Sequence, residues 1–214
     1  MLDINSQINK QIYLKSSPKD KLTRENFELK ESKINHLDNN QVLVEVIYIS
    51  IDAANRAWMQ GRTYRSQILP GDVMGGYALG KVVDSKSSKY KIGDYVEGDL
   101  GWQNYSIVNE AELIKTSIKS SENLHMSVLG ITGKTAYFGL ELAELKKGET
   151  VLISAAAGAV GNVAGQIAKI RGCKVIGITG SDDKAKWLID ELGFDGVINY
   201  KNEVLDKWGY RLNW

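Results

Sequence analysis

The stretch from residue 149 to residue 200 constrains the fold more than any other part of this 214-residue chain. It opens on an apolar, β-branched run at 149–154, which predicts a buried strand. A turn of small residues follows at 155–161, then a helix at 162–171. A second strand is predicted at 174–179, a second helix at 182–192 with Ser181 as its cap, and a third strand at 196–200. Strands alternating with helices in this way build a parallel α/β sheet.

The turn reads Ala155-Ala156-Ala157-Gly158-Ala159-Val160-Gly161, with Gly165 further along the helix. It has the pattern of a dinucleotide-binding turn in which Ala156 replaces the first glycine. Gly158 has no Cβ, so a pyrophosphate can approach its backbone, and Gly161 and Gly165 let the helix pack closely. The open N–H groups at the helix start favour phosphate. A glycine pattern alone is weak evidence, but this one follows a predicted strand and opens a predicted helix. The end of the second strand bears on the choice of cofactor. An NAD site usually carries an acid there for the ribose 2′-hydroxyl. This chain has Thr179-Gly180-Ser181, with Asp182 and Asp183 already in the next helix and Lys184 behind them. A lysine near the 2′ position suits a phosphate, so the expected cofactor is NADP(H).

Composition narrows the remaining possibilities. A formal net charge of +1 argues against nucleic acid or an anionic membrane surface as a bulk electrostatic partner. The single cysteine, Cys173, excludes an internal disulfide and reads as a small buried residue. His36 and His125, the two histidines, lie far apart in sequence, so no zinc site is expected. No run approaches the ~20 apolar residues of a membrane helix, and the polar N-terminus lacks a signal core. The expected location is cytoplasmic.

The pattern before residue 126 is different. Short strands are predicted at 11–14, 27–31, 41–50, 75–83, 93–98 and 102–108, with glycines supplying most turns. Residues 52–60 are compatible with a short helix capped by Asp52. Many short strands with regular turns suggest a partly closed β-barrel. A helical stretch is expected at 128–144, weakened by Gly130, Gly133 and Gly139.

Several stretches resemble one known family. They are Asn9-Lys10-Gln11-Ile12, Glu25-Asn26-Phe27-Glu28-Leu29, Ser50-Ile51-Asp52 with Arg56, Gly101-Trp102-Gln103-Asn104-Tyr105, and Thr135-Ala136-Tyr137-Phe138-Gly139-Leu140. To these are added the 155–161 turn, Gly165-Gln166-Ile167-Ala168, Gly180-Ser181-Asp182-Asp183-Lys184, Leu192-Gly193-Phe194-Asp195, and Asn199-Tyr200-Lys201. Together they resemble the leukotriene B4 dehydrogenase/prostaglandin reductase group of zinc-independent medium-chain dehydrogenases/reductases, with its curcumin and alkenal double-bond reductases. The resemblance implies an α/β chain: a GroES-like β-barrel domain at 1–125, then the first half of a doubly wound Rossmann sheet at 126–203.

The resemblance also implies residue roles. Gly158, Ala159, Val160 and Gly161 would bind the pyrophosphate, Lys184 the 2′-phosphate, and Tyr200 would lie beside the same phosphate and ribose. The implied reaction is hydride transfer from NADPH to the β-carbon of an α,β-unsaturated aldehyde or ketone. Charge then develops on the carbonyl oxygen and calls for a hydrogen-bond donor, for which Tyr64 is the candidate. A ζ-crystallin-like quinone reductase and a non-catalytic NADP-binding remnant are the alternatives.

Three departures from the family pattern stand out. Ala54 replaces a tyrosine that can line the substrate site. Thr132 stands where proline is common. Residues 204–214 match nothing expected of the family and read as a foreign tail after a truncation. The expected consequence is impaired activity, with the adenosine end of the cofactor site present and the strands that pair relatives into homodimers absent.

Overall fold

The computed structural model describes residues 7–118 and 121–202. The chain divides into two compact units, Met1–Met126 and Ser127–Trp214. The tail expected at 204–214 lies outside the described residues.

The first unit is built on antiparallel strands. Strands β1 (Ile8–Leu14) and β2 (Phe27–Lys33) form a hairpin. Five more strands form a sheet in the order β6-β3-β4-β5-β7. Their bounds are β3 Gln41–Ile49, β4 Tyr77–Ser85, β5 Tyr95–Asp99, β6 Tyr105–Asn109 and β7 Ile114–Thr116. The hairpin is tied to the rest by isolated bridges from Gln11 to Gln103 and from Tyr13 to Val73. Val42, Leu43 and Val44 are consecutive and all buried, so β3 is covered on both faces there. One face meets Ala78, Val82, Val96 and Val108. A second core gathers Leu14, Met74 and Ile68 around Trp58 and Met59 of helix α1 (Ala53–Gln60). Truncating a fully buried side chain such as Leu79 would cost about 2–5 kcal/mol.

One expectation is adjusted here and another is met. The strand read at 102–108 begins at Tyr105, because Gly101 (φ +74°) turns the chain and Trp102 instead bonds Met74 O at 2.7 Å. Asp52 does cap α1, and its N–H donates to Asn55 Oδ1 at 2.6 Å. The unit closes with one helical turn, α2 (Glu122–His125).

The second unit carries α3 (Ile131–Leu142), β8 (Thr150–Ile153), α4 (Ala159–Ile170), β9 (Lys174–Thr179), α5 (Asp182–Asp190) and β10 (Gly196–Asn199). Its three strands are parallel, in the order β10-β9-β8. Ala156, Ala168, Cys173, Val175, Leu188 and Phe194 form the core between strands and helices. Cys173 is 4% exposed, as its reading predicted. Helix α3 forms despite its glycines, with Gly130 as its N-cap. Helix α4 starts at Ala159, three residues earlier than expected, because Gly158 is extended and Ala159 is a good helix former. Ala159, Val160 and Gly161 therefore belong to the first helical turn.

Candidate functional site

The β8–α4 turn is assembled from backbone. Ala155 adopts the left-handed region (φ +46°), which its small side chain tolerates at a cost of about 1–2 kcal/mol. Ala156 N–H then bonds Ile178 O on β9 at 2.9 Å, and Gly158 N–H bonds Ala155 O at 2.8 Å. Gly158 is the N-cap of α4, with no side chain over the helix end. Asn162 is the first residue to donate back into the helix, from its N–H to Gly158 O at 3.1 Å; its Nδ2 reaches the same oxygen at 2.7 Å. The N–H groups of Ala159, Val160 and Gly161 precede it and have no acceptor within the helix. They point out of the helix end together with the positive end of its dipole, an arrangement that receives an anion.

Glycine is required at 161 for a specific reason. A Cβ there would lie 2.4 Å from Ala155 O and 2.8 Å from Ala156 Cα. At 165 it would lie 2.0 Å from the Phe194 ring. The close packing expected of these glycines is therefore against the turn and against Phe194, not against β8 itself.

The β9–α5 corner supplies side chains. Ser181 caps α5 and accepts from Lys184 N–H at 3.4 Å. Asp182 is committed to the protein: its carboxylate accepts from Asn199 Nδ2 at 2.6 Å and from Asn202 Nδ2 at 3.2 and 3.3 Å. These bonds hold the end of β10 against the first turn of α5. Lys184 is exposed and has no ion-pair partner among the described residues. Tyr200 follows β10, with its N–H on Thr179 O at 3.1 Å and its ring 55% exposed. A Cβ on Gly180 would come within 2.7 Å of the Tyr200 hydroxyl. Tyr200 thus lies across a backbone made bare by Gly180, and this corner also carries Lys184.

Asp195 secures the same unit from behind. Its carboxylate accepts from Val175 N–H at 2.6 Å and from Lys169 Nζ at 2.9 Å. The Val175 amide first, then Lys169, hold its carboxyl below the usual carboxylate range.

The first-unit candidates do not form a comparable cluster. Tyr64 is 82% exposed, and its ring meets Trp58 edge-on at 6.0 Å. Its neighbour Arg65 stacks on Trp58 and pairs with Asp99, which also accepts from Gly76 N–H at 2.7 Å. Ala54, at the position of the absent tyrosine, packs against the Trp58–Met59 core. Arg56 Nη2 donates to Asp20 O. His125 faces Glu97 at 3.7 Å, and Glu97 accepts from the Tyr77 hydroxyl at 2.9 Å. Burial, then that hydrogen bond, raises the Tyr77 phenol above its ordinary range. No group of three or more histidines, cysteines or carboxylates gathers among the described residues. No helix among them is long and apolar enough to cross a membrane.

Sequence reasoning missed Ala155, Asp182 and Asn199 as parts of the site. Only the Asx-rich spacing of Asp182, Asn199 and Asn202 hinted at the last two.

Comparison with known proteins bears on the same residues. Residues 10–116, half the chain, match the N-terminal domain of oxidoreductase, and residues 159–210 match a family described as zinc-binding dehydrogenase. The chain belongs to this medium-chain dehydrogenase/reductase family. The second match covers the α4–β10 region and runs on into the 204–214 segment. Prostaglandin reductase 1 of Mus musculus is 42% identical over 181 residues, covering 82% of this chain and 53% of that protein. The NADPH-dependent curcumin reductase of Escherichia coli is 36% identical over 197 residues, covering 91% and 57%. The crystal structure of CurA in complex with NADPH from Vibrio vulnificus superposes with a TM-score of 0.82 at 35% identity, covering 90% of this chain and 58% of that one. The chain thus spans little more than half the length of these relatives. Its fold is a GroES-like unit followed by part of a Rossmann sheet.

Proposed function

We propose that this chain is the cofactor-reading and barrel portion of an NADPH-dependent reductase acting on the C=C bond of α,β-unsaturated aldehydes and ketones. The observation that carries the cofactor choice is the pairing at the β9–α5 corner. Asp182, the first residue of α5, is taken by Asn199 and Asn202, while Lys184 has no carboxylate partner among the described residues. An acid would be needed for a ribose 2′-hydroxyl, and a cation for a 2′-phosphate.

The N–H groups of Ala159, Val160 and Gly161, which have no acceptor within α4, fit a dinucleotide's pyrophosphate, while Gly161 and Gly180 allow the close packing of Ala155 and Tyr200 that shapes the site. Gly158, Ala159, Val160 and Gly161 would hold the pyrophosphate, and Lys184 with Tyr200 the 2′-phosphate and ribose. When bound, NADPH supplies the hydride. Tyr64, with its hydroxyl free of any partner among the described residues, is our candidate donor to the carbonyl oxygen.

The test is to assay an enone, an enal and a benzoquinone with NADPH. Reduction of the first two in preference to the quinone, with Tyr64→Phe slowing turnover at least 10-fold and leaving NADPH affinity unchanged, supports the reading. Preference for the quinone contradicts it.

A further inference from the structure

The two faces of strand β1 differ in chemistry. Side chains alternate along a strand, so Lys10 and Ile12 lie on one face and Asn9, Gln11 and Tyr13 on the other. The second face borders a cleft of about 440 Å³ within the first unit, between the hairpin, β3 and β6. That volume lies in the range of small-molecule sites, about 300–1,000 Å³.

Its inner wall is an amide ladder. Gln103 Oε1 accepts from Asn9 Nδ2 at 3.1 Å and from Gln11 Nε2 at 2.7 Å. Gln103 Nε2 donates to Leu100 O and to Ser106 Oγ. Asn9, only 7% exposed, also donates to Tyr105 O at 2.8 Å and accepts from Tyr105 N–H at 3.0 Å. Gln11 Oε1 takes the Tyr13 hydroxyl at 3.3 Å and the Ser32 hydroxyl at 2.9 Å.

An inventory of these groups leaves both kinds of hydrogen-bonding capacity unfilled among the described residues. One N–H of Gln11 and the Tyr105 hydroxyl remain as donors. One lone pair of Asn9 Oδ1 and the oxygens of Tyr13 and Ser32 remain as acceptors. Burial, then the nearby Glu45 carboxylate, raises the Tyr105 phenol above its ordinary range. No acid lines the cleft. Lys33 also lines the cleft, although its pairing with Ile8 sets it on the opposite face of the hairpin from Asn9 and Gln11. Lys30, stacked on Tyr13 at 4.6 Å, is neutralised by Glu28 at 3.4 Å. The complement of an amide and hydroxyl wall offering donors and acceptors side by side is the hydroxyl group, which is both. Val73 and Ile107, both half-buried, add an apolar patch for the C–H face of a ring.

We propose that this cleft is a binding site for a neutral polyhydroxylated ring of hexose or cyclitol size. It lies within the first unit alone, so it stands or falls separately from the cofactor reading.

The test is titration of the isotope-labelled 214-residue chain with D-glucose and with myo-inositol, read by amide chemical shifts. The expected result is saturable binding with a Kd on the order of 1 mM, with shifts centred on Asn9, Gln11, Gln103 and Tyr105. Tyr105→Phe removes one donor and keeps the ring, and should weaken binding about 5-fold. Asn35→Trp, at the exposed rim of the cleft, should block it with the melting temperature unchanged. Gluconate, a charged open chain in place of a neutral ring, should bind more weakly than glucose. Shifts that do not saturate, that spread over the surface, or that survive both variants would overturn the proposal, as would tighter binding of gluconate.

Discussion

The two units of this chain fold by different rules, and the difference shows where chemistry can be read from sequence. In the second unit the proposed site is local. Ala155 to Tyr200 supplies the turn, the helix start, the corner and the ring that covers it, and each strand pairs with the next along the chain. In the first unit neighbours in space come from far apart. Gln11 meets Gln103, and Asn9 meets Tyr105, in a unit whose sheet order, β6-β3-β4-β5-β7, follows no simple progression. Backbone groups and missing Cβ atoms form the second unit's β8–α4 turn and nearby side chains its β9–α5 corner, whereas the first unit's amide ladder is made of side chains brought together by long-range pairing.

The sharpest way to break this contrast is at the turn. Gly161→Val puts a branched side chain onto Ala155 O, where even a Cβ would lie at 2.4 Å. Overpacking of this kind costs about 1–3 kcal/mol, occasionally more. Native-state hydrogen exchange should show β8, β9 and α4 losing protection while β3 and β4 keep theirs. Equal loss in both units would show that they do not fold by separate rules.

A change that leaves the fold alone comes next. Lys184→Ala should weaken NADPH about 10- to 100-fold, the worth of a charge-assisted hydrogen bond of about 1.5–3 kcal/mol. NADH affinity should stay the same, as measured by calorimetry.

Tyr200→Ala removes the ring that lies across Gly180. A smaller loss of NADPH affinity is expected, about 3- to 10-fold, at the level of a neutral hydrogen bond plus ring contact. The same titration with Tyr64→Phe should show no change, because Tyr64 stands in the other unit.

The smallest effect concerns acid. The folded-state pKa of Asp195 is lowered, so the carboxylate stabilises the second unit above the ordinary aspartate value near 3.9. That contribution is lost as pH falls from there through the folded-state value. Asp195→Asn should lower stability at neutral pH by about 1 kcal/mol, since the pair with Lys169 is partly exposed to solvent. The gap between variant and parent should close below pH 4, read by melting temperature against pH.

How far the sequence could be read follows the same division. The strand and helix types of the second unit were legible because periodicity, caps and small-residue turns act over a few residues. The start of α4 was misplaced by three residues, since a small-residue run looks like a turn until Gly158 is seen to be the cap. The engagement of Asp182 by Asn199 and Asn202 was hidden, because it depends on β10 arriving beside α5. In the first unit, strands were legible as segments but their order and the amide ladder were not. Tyr64 sits in a loop, and exposure of a loop side chain leaves no periodic mark.

The central claim is that the second unit reads the cofactor's 2′-phosphate, and calorimetric titration of the purified 214-residue chain with NADPH, with NADH as control, tests it most directly. The account predicts NADPH binding at least 10-fold tighter than NADH, with the preference abolished in Lys184→Ala. Equal affinity for the two cofactors, or no binding of either by a chain shown to be folded, would contradict it.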